Sequence, residues 1–308
     1  MTDLLAAIPA EVRIVEVGPR DGLQNEATIL DVENRIALIR GLAAAGLRTI
    51  EPGAFVRPDL VPAMAGTEDV LAGLRDLQQV RLPVLVPNRR GLRSAVDAGA
   101  TEIAVFAAAS ETFSQRNGGA GMDETMARLD EVVAKAKSQG LAARGYVSCI
   151  AGCPYEGEVP LEQVVKVTEA LIGIGCTEIS LGDTTGTGTP RQIAGIVQAC
   201  AASAGLENLA IHAHDTMGQA LANVLAALEL GVRTVDSSVA GLGGCPFAPG
   251  AAGNLATEDL VFMLDGMGIR HGVDLDRLVL AGETVTALLG HQGASRAAQG
   301  WRKRQLRA

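Results

Sequence analysis

Aromatic side chains are scarce in this 308-residue chain, where five Phe, two Tyr and one Trp make up 3% of the residues. Positive charge is also in short supply: 26 basic residues face 35 acidic ones, for a formal net charge of −9. Without a basic stripe or a stacking surface for bases, the composition argues against nucleic-acid binding. The five cysteines are an odd and sparse set for this length and do not build a disulfide framework, so reduced thiols are expected. No uninterrupted apolar run approaches the roughly 18 residues of a membrane span. The opening stretch MTDLLAAIPAEVRIVEVG lacks a basic segment followed by a long apolar one. A cytoplasmic protein with no membrane partner is the expectation.

Glycine is plentiful, at 37 residues, and the chain repeats one unit: a short β-branched run, a polar or Gly-rich loop, then a helical pattern. Strands are expected at residues 13–17, 49–51, 81–86, 102–106, 143–149, 178–181, 209–212 and 234–239. Helices are expected to begin near Asp31, Glu68, Arg89, Asp123, Leu161, Arg191, Gln219 and Thr257. Eight β/α units point to a closed (β/α)8 TIM barrel over residues 1–288, with a short C-terminal extension over 289–308 that has room for one helix. A doubly wound open sheet is the rival. The turn after the first strand is Gly18-Pro19-Arg20-Asp21-Gly22, however, without the glycine spacing of a dinucleotide fold. Glycines at 46, 99 and 175 close helical patterns and read as C-caps.

Chemistry in such barrels gathers at the C-terminal ends of the strands. There the chain carries Arg20, Asp21 and Gln24 after the first strand, Glu51 after the second, and Arg144, Tyr146 and Ser148 on the fifth. Asp183 follows the sixth strand, His212 and His214 sit on the seventh, and Asn254 comes after the eighth. Residues i and i+2 of a strand share a face, so His212 and His214 are placed as two ligands of one metal ion, or as two hydrogen-bonded core histidines. Asp215 beside them, with Asp21 and Asn254 opposite, favours the metal. A donor set of imidazole and oxygen without thiolate suits Mg²⁺ or Mn²⁺ rather than a closed zinc site. Arg20 in its tight turn is positioned to face a developing oxyanion. Cys176 and Cys200 sit in apolar segments. Cys245 lies instead in the glycine-dense stretch Gly241-Leu242-Gly243-Gly244-Cys245-Pro246, where a thiol can transfer a proton or act as a nucleophile.

Six segments in order resemble the 3-hydroxy-3-methylglutaryl-CoA lyase family over nearly the whole chain: VRIVEVGPRDGLQNE, VFAAASETFSQRN, RGYVSCIAGCPYEG, EISLGDTTGTGTP, IHAHDTMGQALANVL and SSVAGLGGCPFAPGAAGNLATEDLV. The resemblance implies a metal held by Asp21, His212, His214 and Asn254. It implies an enolate-stabilising Arg20, a catalytic Cys245, and acidic catalytic positions at Glu51 and Asp183; on the chemistry of the cleavage, Asp183 is the candidate for relaying the hydroxyl proton, with His212 as competitor. Gln24, Asn117, Arg144, Tyr146, Ser180 and Thr184 would line the acyl-CoA site. The implied reaction is retro-Claisen cleavage of an acyl-CoA thioester to acetoacetate and acetyl-CoA, of the kind that serves leucine degradation, by a homodimer.

The chain departs from that family's pattern in two places. Where members usually carry small hydroxyl residues before the Phe, this one reads Pro52-Gly53-Ala54-Phe55-Val56-Arg57-Pro58, and Ala27 replaces a common lysine. Loss of hydroxyl donors and gain of Arg57 bear on the acyl group rather than the reaction class. A sister lyase acting on citramalyl-CoA is therefore one alternative. A Claisen-condensing synthase is another, although His214 is followed by Asp215-Thr216 rather than Asn-Asp. A non-catalytic binding barrel is a third.

Overall fold

The computed structural model describes residues 8–243 and 253–305. Eight strands alternate with helices: β1 (Arg13–Glu16), β2 (Thr49–Ile50), β3 (Val84–Leu85), β4 (Glu102–Ala108), β5 (Ala142–Ser148), β6 (Glu178–Asp183), β7 (Leu209–Ala213) and β8 (Thr234–Ser237). The helices are α1 (Val32–Ala44), α2 (Thr67–Ala72), α3 (Arg89–Asp97), the single turn α4 (Glu111–Phe113), α5 (Met122–Ser138) and α6 (Leu161–Gly173). They continue as α7 (Pro190–Ala204), α8 (Ala220–Glu229), α9 (Thr257–Gly266), α10 (Leu275–Leu289) and α11 (Arg296–Gln305). No helix among the described residues is long and apolar enough to cross a membrane.

All strand pairs are parallel, in the order β2-β1-β8-β7-β6-β5-β4-β3. The remaining seam closes through bridges Thr49↔Arg81 and Ala54↔Leu85, supported by Phe55 N donating to Leu85 O at 2.8 Å. The barrel expected from the eightfold alternation is therefore present. Its weakest-paired strands are β2 and β3, each two residues long where three and six were expected. Proline explains both: Pro52 and Pro83 have no N–H to give a ladder.

Helix starts fall within a residue or two of expectation because local side chains set them. Asp31 accepts from Asn34 N at 2.8 Å, Asn88 from Gly91 N at 3.0 Å, and Thr189 caps α7, whose first residue is Pro190. On α6, Val164, Val167 and Leu171 form one buried face, spaced to meet the sheet. Gly46 ends α1 at φ 108°, and a Cβ there would lie 2.1 Å from Gly272 O, so the glycine serves both the cap and the close passage of the chain before α10. α10 was not among the expected helices. It buries Leu278, Val285 and Leu289 and packs on α1, closing the shell next to the β8 turn.

Strand alternation directs an unusually polar set into the barrel interior. Arg144 and Tyr146, Glu178 and Ser180, His212, and Thr234 and Asp236 all point inward, where branched apolar residues usually fill the layers. These side chains stack towards the C-terminal ends of the strands and carry the site above them.

Candidate active site

A cavity of about 800 Å³ opens at the C-terminal ends of the strands, with Arg20, Asp21, Tyr146, His212 and His214 on its inner wall. The turn after β1 supplies the first two. The N–H groups of Arg20, Asp21 and Gly22 all point to Val17 O, at 3.1, 2.7 and 3.2 Å. This winding brings Gly18 so close to Glu16 Oε1 that a Cβ would sit 2.6 Å away.

Asp21, His212 and His214 each offer a ligand atom, and these atoms lie within 4.8 Å of one another. His212 Nε2 is 4.0 Å from Asp21 Oδ2, and the two imidazole centroids are 5.2 Å apart. Both histidines are buried, and Nδ1 of each lacks an aligned hydrogen-bond partner among the described residues. Burial alone would push the Asp21 carboxyl up, but Arg20 and the two histidines override it and hold it at about 2. Burial lowers His214 to about 4, with His212 adding to the effect, so its imidazole is neutral at pH 7. One carboxylate and two imidazoles within ligand distance of one another fit a divalent ion, with oxygen positions left for substrate.

Around this cluster runs a chain of charge-assisted hydrogen bonds. Arg20 donates to Glu51 Oε2 at 2.7 Å and to Asp21 Oδ1 at 2.6 Å. Burial opposes the Arg20 charge, and Glu51 and Asp21 restore it, so the guanidinium is held firmly protonated. Glu51 Oε1 accepts from the Tyr146 hydroxyl at 2.5 Å, and that hydroxyl in turn accepts from Arg144 Nη1 at 2.5 Å. Gln24 Nε2 steadies Asp21 Oδ1 at 3.2 Å.

The remaining expected residues divide. Asn117 and Thr184 lie on the cavity wall with Gln24 and Tyr146. Arg144 does not reach it. Its side chain is 2% exposed, and besides Tyr146 its guanidinium is spent on Asp236 (2.6 and 3.2 Å) and Glu178 (2.7 Å), one layer below Tyr146. Ser180 is likewise fully buried and donates to Asp236 Oδ2 at 2.7 Å. Asp183 turns away from the cavity, accepting from the N–H groups of Gly186 (3.1 Å) and Gly188 (2.9 Å), and so holds the loop after β6. Asn254 presents its amide nitrogen, which donates to Asp21 Oδ2 (2.8 Å) and Leu242 O (3.1 Å), so in this arrangement it orients the Asp21 carboxylate rather than offering its oxygen. Cys245 lies outside the described residues. Arg57 stands on the cavity wall, ion-paired with Asp59.

Sequence reasoning missed Asp236. It is fully buried on β8, directly across the ladder from His212, and its Oδ2 lies 3.4 Å from His212 Nδ1. The available signal was a lone carboxylate in the inward phase of an otherwise apolar and hydroxyl strand, Thr234-Val235-Asp236-Ser237. Attention to strand ends passed over it.

Comparison with known proteins bears on this arrangement. A family profile described as HMGL-like matches residues 11–285. Hydroxymethylglutaryl-CoA lyase, mitochondrial, of Bos taurus is 50% identical over 298 residues, covering 97% of this chain and 92% of that protein. The crystal structure of hydroxymethylglutaryl-CoA lyase from Pseudomonas aeruginosa superposes with a TM-score of 0.95 at 48% identity, covering 97% of this chain and 99% of that one. A structure of an HMG-CoA lyase from Acinetobacter baumannii in complex with coenzyme A and 3-methylmalate gives 0.90 at 38% identity, covering 94% and 95%.

Proposed function

The chain belongs to the HMGL-like family, and we propose that it is a divalent-metal-dependent lyase that cleaves (S)-3-hydroxy-3-methylglutaryl-CoA to acetoacetate and acetyl-CoA. The observation that carries this reading is the Asp21–His212–His214 cluster on the wall of a cavity that also holds the charged Arg20. Asp21, His212 and His214 would hold Mg²⁺ or Mn²⁺, with Asn254 beside them. When bound, such an ion supplies Lewis acidity that eases loss of the substrate's tertiary hydroxyl proton.

The chain's own groups account for the rest. As the alkoxide collapses, the carbon–carbon bond breaks and its electron pair passes into the thioester, leaving the enolate of acetyl-CoA. Arg20 is a fixed cation on the cavity wall, oriented through Glu51 and Tyr146, and stabilises that charge without having to reorganise. Protonation at carbon then completes acetyl-CoA, and we assign that proton to the Cys245 thiol on the strength of its place in the chain. Asp183 takes no part in proton relay, because its carboxylate is committed to the loop after β6; the hydroxyl proton passes to water in the cavity, and the Cys245 thiolate regains a proton from the same water, so the cycle closes without net proton uptake.

A neighbouring substrate is the second reading. Ala54 is buried and has no hydroxyl to offer, while Arg57 brings a cation to the wall. A sister lyase that converts citramalyl-CoA to pyruvate and acetyl-CoA would have the same core. The purified protein with Mg²⁺, run against a panel of 3-hydroxyacyl-CoA thioesters, tests both readings. Acetoacetate release from the glutaryl substrate is expected to be the fastest reaction. Turnover of citramalyl-CoA far above it would replace the leading assignment.

A further inference from the structure

Asp236 has no role in the reading above, yet it is among the most thoroughly partnered side chains of the barrel interior. Its Oδ1 accepts from Arg144 Nη2 at 2.6 Å. Its Oδ2 accepts from Ser180 Oγ at 2.7 Å and Arg144 Nη1 at 3.2 Å, and the same oxygen faces His212 Nδ1 at 3.4 Å. Every partner except His212 is a donor, so the carboxylate is locked as an acceptor, and a nitrogen facing it is favoured in its protonated form. The other nitrogen of the ring, Nε2, points towards Asp21.

We propose that Asp236 is the positioning residue of the metal centre: it fixes His212 as the Nδ1–H tautomer, so that the Nε2 lone pair is presented beside Asp21. This rests on the metal-dependent reading of the site. A metal-binding histidine generally needs its second nitrogen held in this way, and loss of the holding group costs about ten- to a hundredfold in affinity. Arg144 and Ser180 act one step further back, keeping Asp236 charged and in place. That gives a task to two residues that do not reach the cavity.

The alternative is that Asp236 serves only as the counter-ion of Arg144. The two accounts separate in Asp236→Asn. The single oxygen of the amide is claimed by Arg144, which leaves its NH₂ towards His212; Nδ1 then becomes the acceptor and the proton moves to Nε2. The chain has only four histidines, so ¹⁵N-histidine labelling and two-bond ¹H–¹⁵N correlation spectra of the metal-free protein can report the tautomer of each at about pH 8. Titration of the same samples with Mn²⁺, followed by electron paramagnetic resonance, reports affinity without any assay of turnover.

The expected result is Nδ1–H for His212 in the native protein, a switched or mixed tautomer in Asp236→Asn, and Mn²⁺ affinity lower by about ten- to a hundredfold. An unchanged tautomer with affinity within threefold of native overturns the proposal. If the variant does not fold, the native spectrum still decides, because an Nε2–H His212 in the metal-free native protein is incompatible with the proposal. Failure of the native protein to bind Mn²⁺ at all would instead refute the metal-dependent reading, a separate and recognisable outcome.

Discussion

Two groups of buried carboxylates lie on opposite sides of β1 and β8, and their partners differ in kind. Inside the barrel, Glu51 and Asp236 are fully buried but bonded to guanidinium groups, and Asp21 shares Arg20 with Glu51. Arg144 offsets the burial of Asp236 and holds its carboxyl far below the usual range. Outside the barrel wall, Glu16 and Glu258 are also buried, but among the described residues they are bonded to backbone N–H and hydroxyl groups and to no guanidinium. Glu16 accepts from Gly18 N (2.8 Å), Val239 N (2.9 Å) and Thr257 Oγ1 (2.7 Å). Glu258 accepts from Ala240 N at 2.9 Å, steadying a non-glycine residue at φ 57°. Burial raises these two to about 7 and about 8, their hydrogen bonds only partly opposing it. Asp236 is therefore held low and Glu16 and Glu258 are pushed up although all three are buried, and the partner's charge decides which. The charged group builds the site, and the other ties the turn after β8 to β1 and α9.

The largest expected effect comes from removing the charge partner. Arg20→Met leaves Glu51 and Asp21 buried without their cation. Steady-state kinetics should show kcat lower by about a thousandfold, and urea denaturation a loss of about 3–5 kcal/mol. An undiminished kcat would show that the fixed cation is not what stabilises the enolate.

The pH dependence of stability should run in opposite directions for the two groups. The folded-state value of Glu16 is raised, so its contribution is complete below about 4.5 and is lost as pH rises through about 7, on the order of 3 kcal/mol. Glu16→Gln should flatten that slope in urea melts between about pH 5 and pH 8, and a slope identical to native would break the contrast. Asp21 is held low, so its contribution is present above 3.8 and is lost as pH falls through about 2, on the order of 2 kcal/mol. Asp21→Asn should remove that acid-side loss in metal-free protein. Smallest is Tyr146→Phe, which leaves Glu51 Oε1 and Arg144 Nη1 short of one partner each. Thermal melts should show about 1–3 kcal/mol of destabilisation with the fold retained.

Much of this architecture was legible in local chemistry. Alternating strand and helix periods, caps such as Asp31 and Asn88, and the glycine at 46 each act through neighbours close in sequence. The meeting of His212 and His214 was legible as well, because their i, i+2 spacing sets a shared face regardless of context. Depth within the barrel was not. Arg144 and Tyr146 have the same phase, but only the one nearer the strand end reaches the cavity, and Arg144 is claimed by Asp236, 92 residues away. Asp183 shows the same limit, since whether a carboxylate at a strand end faces the cavity or the next loop depends on the path of Gly186 and Gly188. β3 was overdrawn because the apolar run around Pro83 outweighed the missing donor.

On the reading proposed above, Asp21, His212 and His214 assemble a divalent-metal site for carbon–carbon cleavage. Stripping the purified protein with a chelator and following acetoacetate release from 3-hydroxy-3-methylglutaryl-CoA as Mg²⁺ or Mn²⁺ is restored tests it most directly. No cleavage is expected in the stripped protein, with recovery on adding either ion and no recovery in His214→Ala. Acetoacetate release at an unchanged rate in the stripped protein would contradict it.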